Sequence, residues 1–156
     1  MASKDTELFS PDLVFFDMEA ESTDEFFTKL GAELKKRGNI NDGWYDGIST
    51  REKNYPTGLH TEAAAIAIPH TDPQFIEKPY IAVIKPKTPI VFQPMAGMGD
   101  EVPAELIINL GVLRDGGQVA VLQNLMNIFM DKEKTADILA QTTQQSMIDA
   151  ITKYFE

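Results

Sequence analysis

A histidine at position 70 directly follows a short apolar segment of the chain. Residues 63–68 are apolar and end in Pro69, which predicts a buried strand that delivers His70 at its carboxyl end. Ligands of α/β sheets generally bind at that edge. Pro69 restricts its own φ angle and has no N–H, so it stiffens the backbone and stops strand pairing before the imidazole. This pattern is typical of a side chain on a rigid support, which a reactive group needs.

The imidazole of His70 has the chemistry of a nucleophile. An unperturbed imidazole has a pKa near ~6.5, so at pH 7 much of it is neutral and one ring nitrogen carries a free lone pair. A hydrogen bond from the other ring N–H to a carbonyl or carboxylate selects the tautomer, and the free nitrogen can then attack phosphorus. The alternative is a histidine that ends a strand and bonds only locally, and three residues do not decide between the two.

Arg51 is a candidate partner for a phosphorylated imidazole. It lies near the end of a helix predicted over residues 42–53, just before a break at residues 56–58. A phosphorylated ring carries about −1.5 to −2 charges, and a guanidinium group binds phosphoryl oxygens more specifically than a lysine does. A surface arginine paired with a neighbouring carboxylate, Glu52 or Asp46, is the alternative.

A metal site is a second interpretation of the histidines. His60 and Glu62, together with His70 and Asp72, form two His-x-acid pairs that offer imidazole and carboxylate ligands for a metal-dependent hydrolase. A fully extended chain would hold the two histidines about 30 Å apart, and only a tight hairpin would bring them together. The spacing matches no strong metal signature, so the sequence favours a site without a metal.

Composition excludes several functional classes. The chain has 14 Lys and Arg residues against 24 Asp and Glu residues, a net charge of −10, which disfavours binding to nucleic acid and to anionic membranes. It contains no cysteine, which removes disulfides and thiolate chemistry and fits a reducing compartment. We find neither a targeting segment nor an apolar run of the roughly 18 residues that a membrane span needs, so we expect a soluble cytoplasmic protein.

Strand and helix patterns predict one domain over residues 8–156, after a polar, flexible tail at residues 1–7. A capping box at residues 22–25 begins a helix that Gly38 ends. Strands between flanking helices predict an α/β layered domain. The predicted strands cover residues 13–16, 63–68, 80–84, 90–92 and 106–112, and amphipathic helical spacing follows over residues 119–155.

Residues 51–58, followed by residues 65–70, resemble the enzyme IIA components of the bacterial sugar phosphotransferase system. Within the fructose/mannitol superfamily, the sequence is most similar to the galactitol-type branch, because of Pro56-Thr57-Gly58 and the distance from there to His70. The resemblance extends over nearly the whole chain and implies a mixed β-sheet flanked by helices.

The resemblance implies a phosphocarrier enzyme. Phospho-HPr would transfer its phosphoryl group to His70, forming tele-phosphohistidine, and His70 would pass it to a cysteine of the enzyme IIB component, which acts with the membrane enzyme IIC. Arg51 matches the arginine of the family's active site, and Thr57 is a further candidate binding residue. Mannitol-type members carry a second histidine where this chain has Gln118, so Gln118 is at most a neutral hydrogen-bond donor.

This relay needs no metal or bound cofactor. Its direct partners would be proteins, with no nucleic acid and no direct insertion into a membrane. A second hypothesis is a regulatory module of the same fold, whose phosphorylation controls a transcription factor or a transporter. The metal-dependent hydrolase is the third.

Overall fold

The computed structural model of the chain describes residues 7–97, 99–112 and 117–155, with the backbone alone for residues 117–119. In this part of the chain, the strands are β1 (Phe9–Phe15), β2 (Gly58–His60), β3 (Ala65–Ala67), β4 (Tyr80–Ile84), β5 (Ile90–Phe92), β6 (Val102–Ala104) and β7 (Leu106–Gly111). Five of them form a sheet with the order β1-β4-β7-β3-β2, and β5 pairs with β6 in a two-stranded sheet. The helices are α1 (Thr23–Lys36), α2 (Trp44–Asn54), α3 (Gly117–Phe129), α4 (Lys132–Leu139) and α5 (Gln144–Tyr154).

The main sheet separates two apolar cores. Alternate residues of β4 and β7 point to opposite faces, as the two-residue period of a strand requires. One face packs against α3, α4 and α5, and the other packs against α1 and α2. Parallel and antiparallel pairs both occur, since β1 runs parallel to β4 but β4 runs antiparallel to β7. The predicted α/β architecture, a mixed sheet flanked by helices, is confirmed.

The first helix begins and ends where the sequence predicts. The Ser22 hydroxyl accepts a hydrogen bond from the backbone N–H of Glu25 at 3.1 Å, and such a cap is worth ~1 kcal/mol. Gly38 follows the helix with a φ of +78°, a conformation that favours glycine. The apolar side chains at helical spacing are all buried in the sheet-facing core: Phe26, Phe27, Leu30 and Leu34. Among the described residues, no helix combines the length and apolar character that crossing a bilayer requires.

The strands around the candidate site differ from the sequence-based expectation. The sequence predicts only a break at residues 56–58, whereas Gly58 begins β2 and pairs with Ala67 of β3. A Cβ atom at Gly58 would lie 2.6 Å from the carbonyl oxygen of Gln93, so glycine allows the close approach of these two segments. The run at residues 90–92 does form a strand, but it pairs with β6 outside the main sheet. Three-residue strands carry too little pattern to be assigned to a sheet from sequence.

The first strand also differs from the prediction over residues 13–16, since β1 begins at Phe9 and includes Pro11. β1 lies at the edge of the main sheet, and its pairing with β4 shifts register between Phe9 and Val14. Proline is tolerated at such positions because an edge strand needs fewer backbone donors.

The topology of the sheet brings three segments to one edge. β3 and β7 are parallel, so their carboxyl ends lie at the same edge. β2 is antiparallel to β3, so the chain that arrives from α2 enters β2 at this edge as well. The end of α2 therefore lies beside the residues that follow β3.

Candidate active site

His70 lies just beyond the carboxyl end of β3, where it forms an isolated parallel bridge with Leu110 of β7. The side chain is largely buried, with 8% of its surface exposed. Pro69 interrupts the pairing between β3 and this bridge, as expected for a residue without an N–H. The structure thus places His70 at the sheet edge that the sequence predicts.

The tautomer of His70 follows from one hydrogen bond. Nδ1 lies 2.8 Å from the carbonyl oxygen of Ile68, and because a carbonyl only accepts, Nδ1 carries the hydrogen. The free lone pair of the neutral ring is therefore on Nε2. Burial lowers the pKa of His70 from its usual 6.5. The bond to Ile68 and the charge of Asp72 oppose this shift, whereas the charge of Arg51 reinforces it. The site thus favours a neutral imidazole.

Arg51 lies in the last turn of α2 and faces the segment after His70. Its Nη1 atom lies 3.5 Å from Oδ1 of Asp72, and its guanidinium carbon lies 5.7 Å from the centre of the Tyr55 ring. The Nε atom is buried and has no acceptor among the residues that the structure describes. One donor of the guanidinium group is therefore not used by the described residues.

Glu52, the neighbour of Arg51, is buried and binds the loop that leads to β2. Its carboxylate accepts hydrogen bonds from the backbone N–H of Thr57 at 2.7 Å and from the Thr57 hydroxyl at 2.9 Å. Burial raises the pKa of Glu52 to about 7, although both bonds from Thr57 oppose this shift. Sequence reasoning treated Glu52 only as a possible surface partner of Arg51, whereas Arg51 pairs with Asp72. The buried position of Glu52 had no signal in the sequence.

The other predicted site residues lie in different settings. Thr57 is buried and its hydroxyl is directed to Glu52, so its role in binding stays a prediction. Gln118 lies at the start of α3, and its side chain is outside the part of the chain that the structure describes. Its role also stays a prediction.

His60 lies far along the hairpin from His70. It pairs with Ala65 at the amino end of β3, whereas His70 follows the carboxyl end of that strand. Its exposed ring places Nε2 3.3 Å from the carbonyl oxygen of Asp100 and 3.2 Å from that of Glu101. Within the described ranges, no three His, Cys, Asp or Glu side chains form a group suited to a metal ion. The hairpin therefore does not bring the two histidines together.

A sequence-based search also missed a buried asparagine behind His70. Nδ2 of Asn109 in β7 donates to the Pro69 carbonyl oxygen at 2.9 Å, and Oδ1 of Asn109 accepts from the Tyr80 hydroxyl at 2.6 Å. An open depression of about 430 Å³ is lined by Arg51 and Asp72 but not by His70. A depression of about 860 Å³ lies at the carboxyl end of β1, and neither histidine lines it.

The chain matches the family model of the phosphoenolpyruvate-dependent sugar phosphotransferase system, EIIA 2, over residues 7–154. The galactitol-specific EIIA component of Escherichia coli strain K12 is 28% identical over 130 residues, which cover 83% of this chain and 85% of that protein. The same identity and coverage are found for the galactitol-specific EIIA component of Escherichia coli O157:H7.

Solved structures show the same fold. The nitrogen regulatory protein IIA-Ntr from Neisseria meningitidis superposes with a TM-score of 0.75 at 22% identity, covering 96% of this chain and all (100%) of that chain. The mannitol enzyme IIA of Escherichia coli, in its complex with phosphorylated enzyme IIB, superposes with a TM-score of 0.73 at 21% identity, covering 94% and 99% of the two chains.

The layered α/β fold is thus shared with an enzyme IIA component. The chain belongs to the EIIA 2 family of the sugar phosphotransferase system. It is accordingly a phosphotransferase, a phosphocarrier of a system that takes up sugar.

Proposed function

We propose that His70 is the phosphoacceptor of this phosphocarrier and that it is phosphorylated on Nε2. The observation that carries the proposal is the 2.8 Å hydrogen bond from Nδ1 to the Ile68 carbonyl, which leaves the lone pair on Nε2. Burial also favours the neutral ring by lowering the pKa of His70. A neutral imidazole has the lone pair that attack on phosphorus requires.

Each transfer exchanges one bond to phosphorus for another. In the first step, Nε2 of His70 forms a P–N bond while the P–N bond to the histidine of phospho-HPr breaks, and the donor nitrogen keeps the electron pair. In the second step, a cysteine thiolate of the EIIB component forms a P–S bond, and His70 leaves as a neutral imidazole. The first exchange joins similar bonds, so the protein contributes mainly alignment and stabilisation of the phosphoryl oxygens.

Arg51 supplies that charge stabilisation in our proposal. Its pairing with the exposed Asp72 spans 3.5 Å, which is long for a hydrogen bond, and its Nε has no acceptor within the described ranges. A phosphoryl group carries more negative charge than Asp72, so it competes well for the guanidinium group. Gln118 is the candidate neutral donor, and Thr57 supports the site through Glu52.

The partners we propose are phospho-HPr and an EIIB component, and through EIIB the membrane enzyme IIC. The structure of the mannitol enzyme IIA of Escherichia coli with phosphorylated enzyme IIB supports a partner of this kind. The net charge of −10 would steer a donor with a basic face toward the chain. We propose a galactitol-type system in the cytoplasm, because the galactitol-specific relative aligns with 83% of this chain.

The proposal is tested by phosphorylation with phosphoenolpyruvate, enzyme I and HPr. We expect one acid-labile, base-stable phosphoryl group per chain, located on His70 by peptide mass spectrometry. Addition of the galactitol-specific EIIB component should then remove the group from His70. Phosphorylation at another residue would contradict the proposal. Phosphorylation of His70 without transfer to any EIIB component would favour the regulatory module.

A further inference from the structure

Asn109 is a polar residue in a strand that is otherwise apolar and buried. All six residues of β7 are buried, and Asn109 has no exposed surface. Burial of an amide is unfavourable unless its donors and acceptor are hydrogen-bonded. The side chain of Asn109 makes one bond toward His70, through Nδ2, and one toward β4, through Oδ1.

The bond toward His70 links the two strands at the point where proline interrupts the backbone ladder. Ala67 pairs with Ile107, and His70 bridges Leu110 in the same register, so Pro69 lies opposite Asn109. Because Pro69 has no N–H, the regular ladder is interrupted at this point. The Asn109 amide spans the interruption by donating to the Pro69 carbonyl oxygen at 2.9 Å.

The second bond fixes the orientation of the Asn109 amide. Tyr80 pairs with Gly111, so its ring reaches Asn109 diagonally across the two strands and donates its hydroxyl hydrogen to Oδ1 at 2.6 Å. A Cβ atom at position 111 would collide with the Tyr80 ring, so glycine leaves the space that this ring needs. Burial raises the pKa of Tyr80, which keeps its hydroxyl a hydrogen-bond donor. With Oδ1 occupied in this way, Nδ2 is directed to Pro69.

We propose that Asn109 is a positioning residue that holds His70 in the orientation for phosphoryl transfer. The Pro69 carbonyl belongs to the peptide group that joins Pro69 to His70, so the bond from Asn109 fixes the plane from which the His70 side chain projects. The preceding carbonyl, that of Ile68, fixes the ring itself through Nδ1. Two successive carbonyl groups thus determine where Nε2 points. This proposal rests on the proposed function of His70 as the acceptor.

The test compares Asn109→Leu with Tyr80→Phe. Leucine has a similar volume but removes both hydrogen bonds, whereas Tyr80→Phe keeps the ring and the bond from Asn109 to Pro69. At saturating phospho-HPr, we expect Asn109→Leu to slow phosphorylation of His70 by about 10- to 100-fold, since a small misplacement of a reacting group has effects of this size. We expect Tyr80→Phe to slow it about 2- to 5-fold, and the KM for phospho-HPr to be unchanged in both variants.

A second readout separates positioning from a purely structural role. In ¹⁵N NMR spectra, we expect the wild-type His70 to show a single neutral tautomer with hydrogen on Nδ1, and Asn109→Leu to show a mixture. A folded Asn109→Leu protein with the wild-type tautomer and the wild-type maximal rate would overturn the proposal. If Asn109→Leu does not fold, Tyr80→Phe decides: a slower maximal rate supports the proposal, and an unchanged rate overturns it. The NMR measurement needs no phosphoryl donor, so it tests the positioning even if His70 proves not to be the acceptor.

Discussion

His60 ends β2 opposite the amino end of β3, whereas His70 lies beyond the carboxyl end of β3, and both imidazoles contact backbone carbonyl groups. His70 is bound through Nδ1 to a carbonyl two residues earlier in the chain, and it is buried. His60 is bound through Nε2 to carbonyl groups 40 and 41 residues later, and it is exposed. The two rings therefore present different nitrogens in different environments.

This difference predicts different reactivity for the two imidazoles, because the backbone occupies a different ring nitrogen in each and the surroundings of the other nitrogen differ. At His70, Nε2 has a free lone pair, and Arg51 lies close enough to influence the ring. At His60, Nε2 is occupied and the surrounding acidic residues, Asp100 and Glu101, are exposed. Two histidines of the same chain are thus suited to different roles.

The largest expected effect comes from replacing each histidine by alanine. We expect His70→Ala to lose phosphorylation completely, because no other group supplies the attacking nitrogen, and His60→Ala to keep full stoichiometry. The measurement is transfer of ³²P from phosphoenolpyruvate through enzyme I and HPr. Full labelling of His70→Ala, or loss of labelling in His60→Ala, would reverse the comparison.

Glu52 should make the stability of the His70 end of the hairpin depend on pH. The unfolded carboxyl group loses its proton near pH 4.5, whereas the folded group keeps it up to about pH 7. At Glu52 the folded state therefore binds more protons in this window, so the contribution of Glu52 to the free energy of unfolding should fall as pH rises from 4.5 to 7, by up to about 3 kcal/mol. Glu52→Gln should remove this fall, because its amide bonds to Thr57 as the protonated acid does.

The matched control is Glu101→Gln, at the exposed His60 end of the hairpin. Denaturant unfolding between pH 4.5 and pH 8 gives the free energy of unfolding for the wild type and both variants. We expect Glu101→Gln to keep the wild-type pH dependence. An equal slope in the wild type and Glu52→Gln would show that Glu52 is ionised in the folded protein throughout this range.

Replacement of Arg51 should slow the phosphorylation of His70, with a smaller effect than the loss of the His70 imidazole itself. We expect Arg51→Ala to slow phosphorylation of His70 by about 10- to 100-fold, since one charge-stabilising donor is typically worth this much or more. Arg51→Lys should be intermediate, because it keeps the charge but loses the planar donor pair. Initial rates by rapid quench give the measurement, with Arg37→Ala as the control because Arg37 pairs with Glu33. A wild-type rate in Arg51→Ala would remove Arg51 from the site.

Local patterns in the sequence predicted several elements well. The Ser22 cap and the apolar spacing of Phe26, Leu30 and Leu34 predicted α1, because these contacts form within one or two turns. The apolar run at residues 80–84 predicted the bounds of β4. The step from an apolar run through Pro69 also placed His70 correctly at a strand end.

The sequence could not reveal the buried polar groups that hold the site. Asn109 interrupts an apolar run, and its acceptor on Pro69 lies 40 residues earlier in the chain. Glu52 is one of several charged residues of α2, and its burial and its bonds to Thr57 arise only in the folded protein. Each of these side chains gains its partner only when distant segments pack together.

The sequence by itself determined the chemistry available to this protein: an imidazole after a strand-Pro step, an arginine at a helix end, and an acidic surface without cysteine. The tertiary structure decided that Arg51 lies close enough to act on the charge of His70, and that Asn109 and Glu52 are buried with hydrogen bonds to Pro69 and Thr57. The physical reason is distance along the chain. Strand ends and helix caps form from neighbouring residues, whereas burial and hydrogen bonds between remote segments exist only after the sheet has assembled.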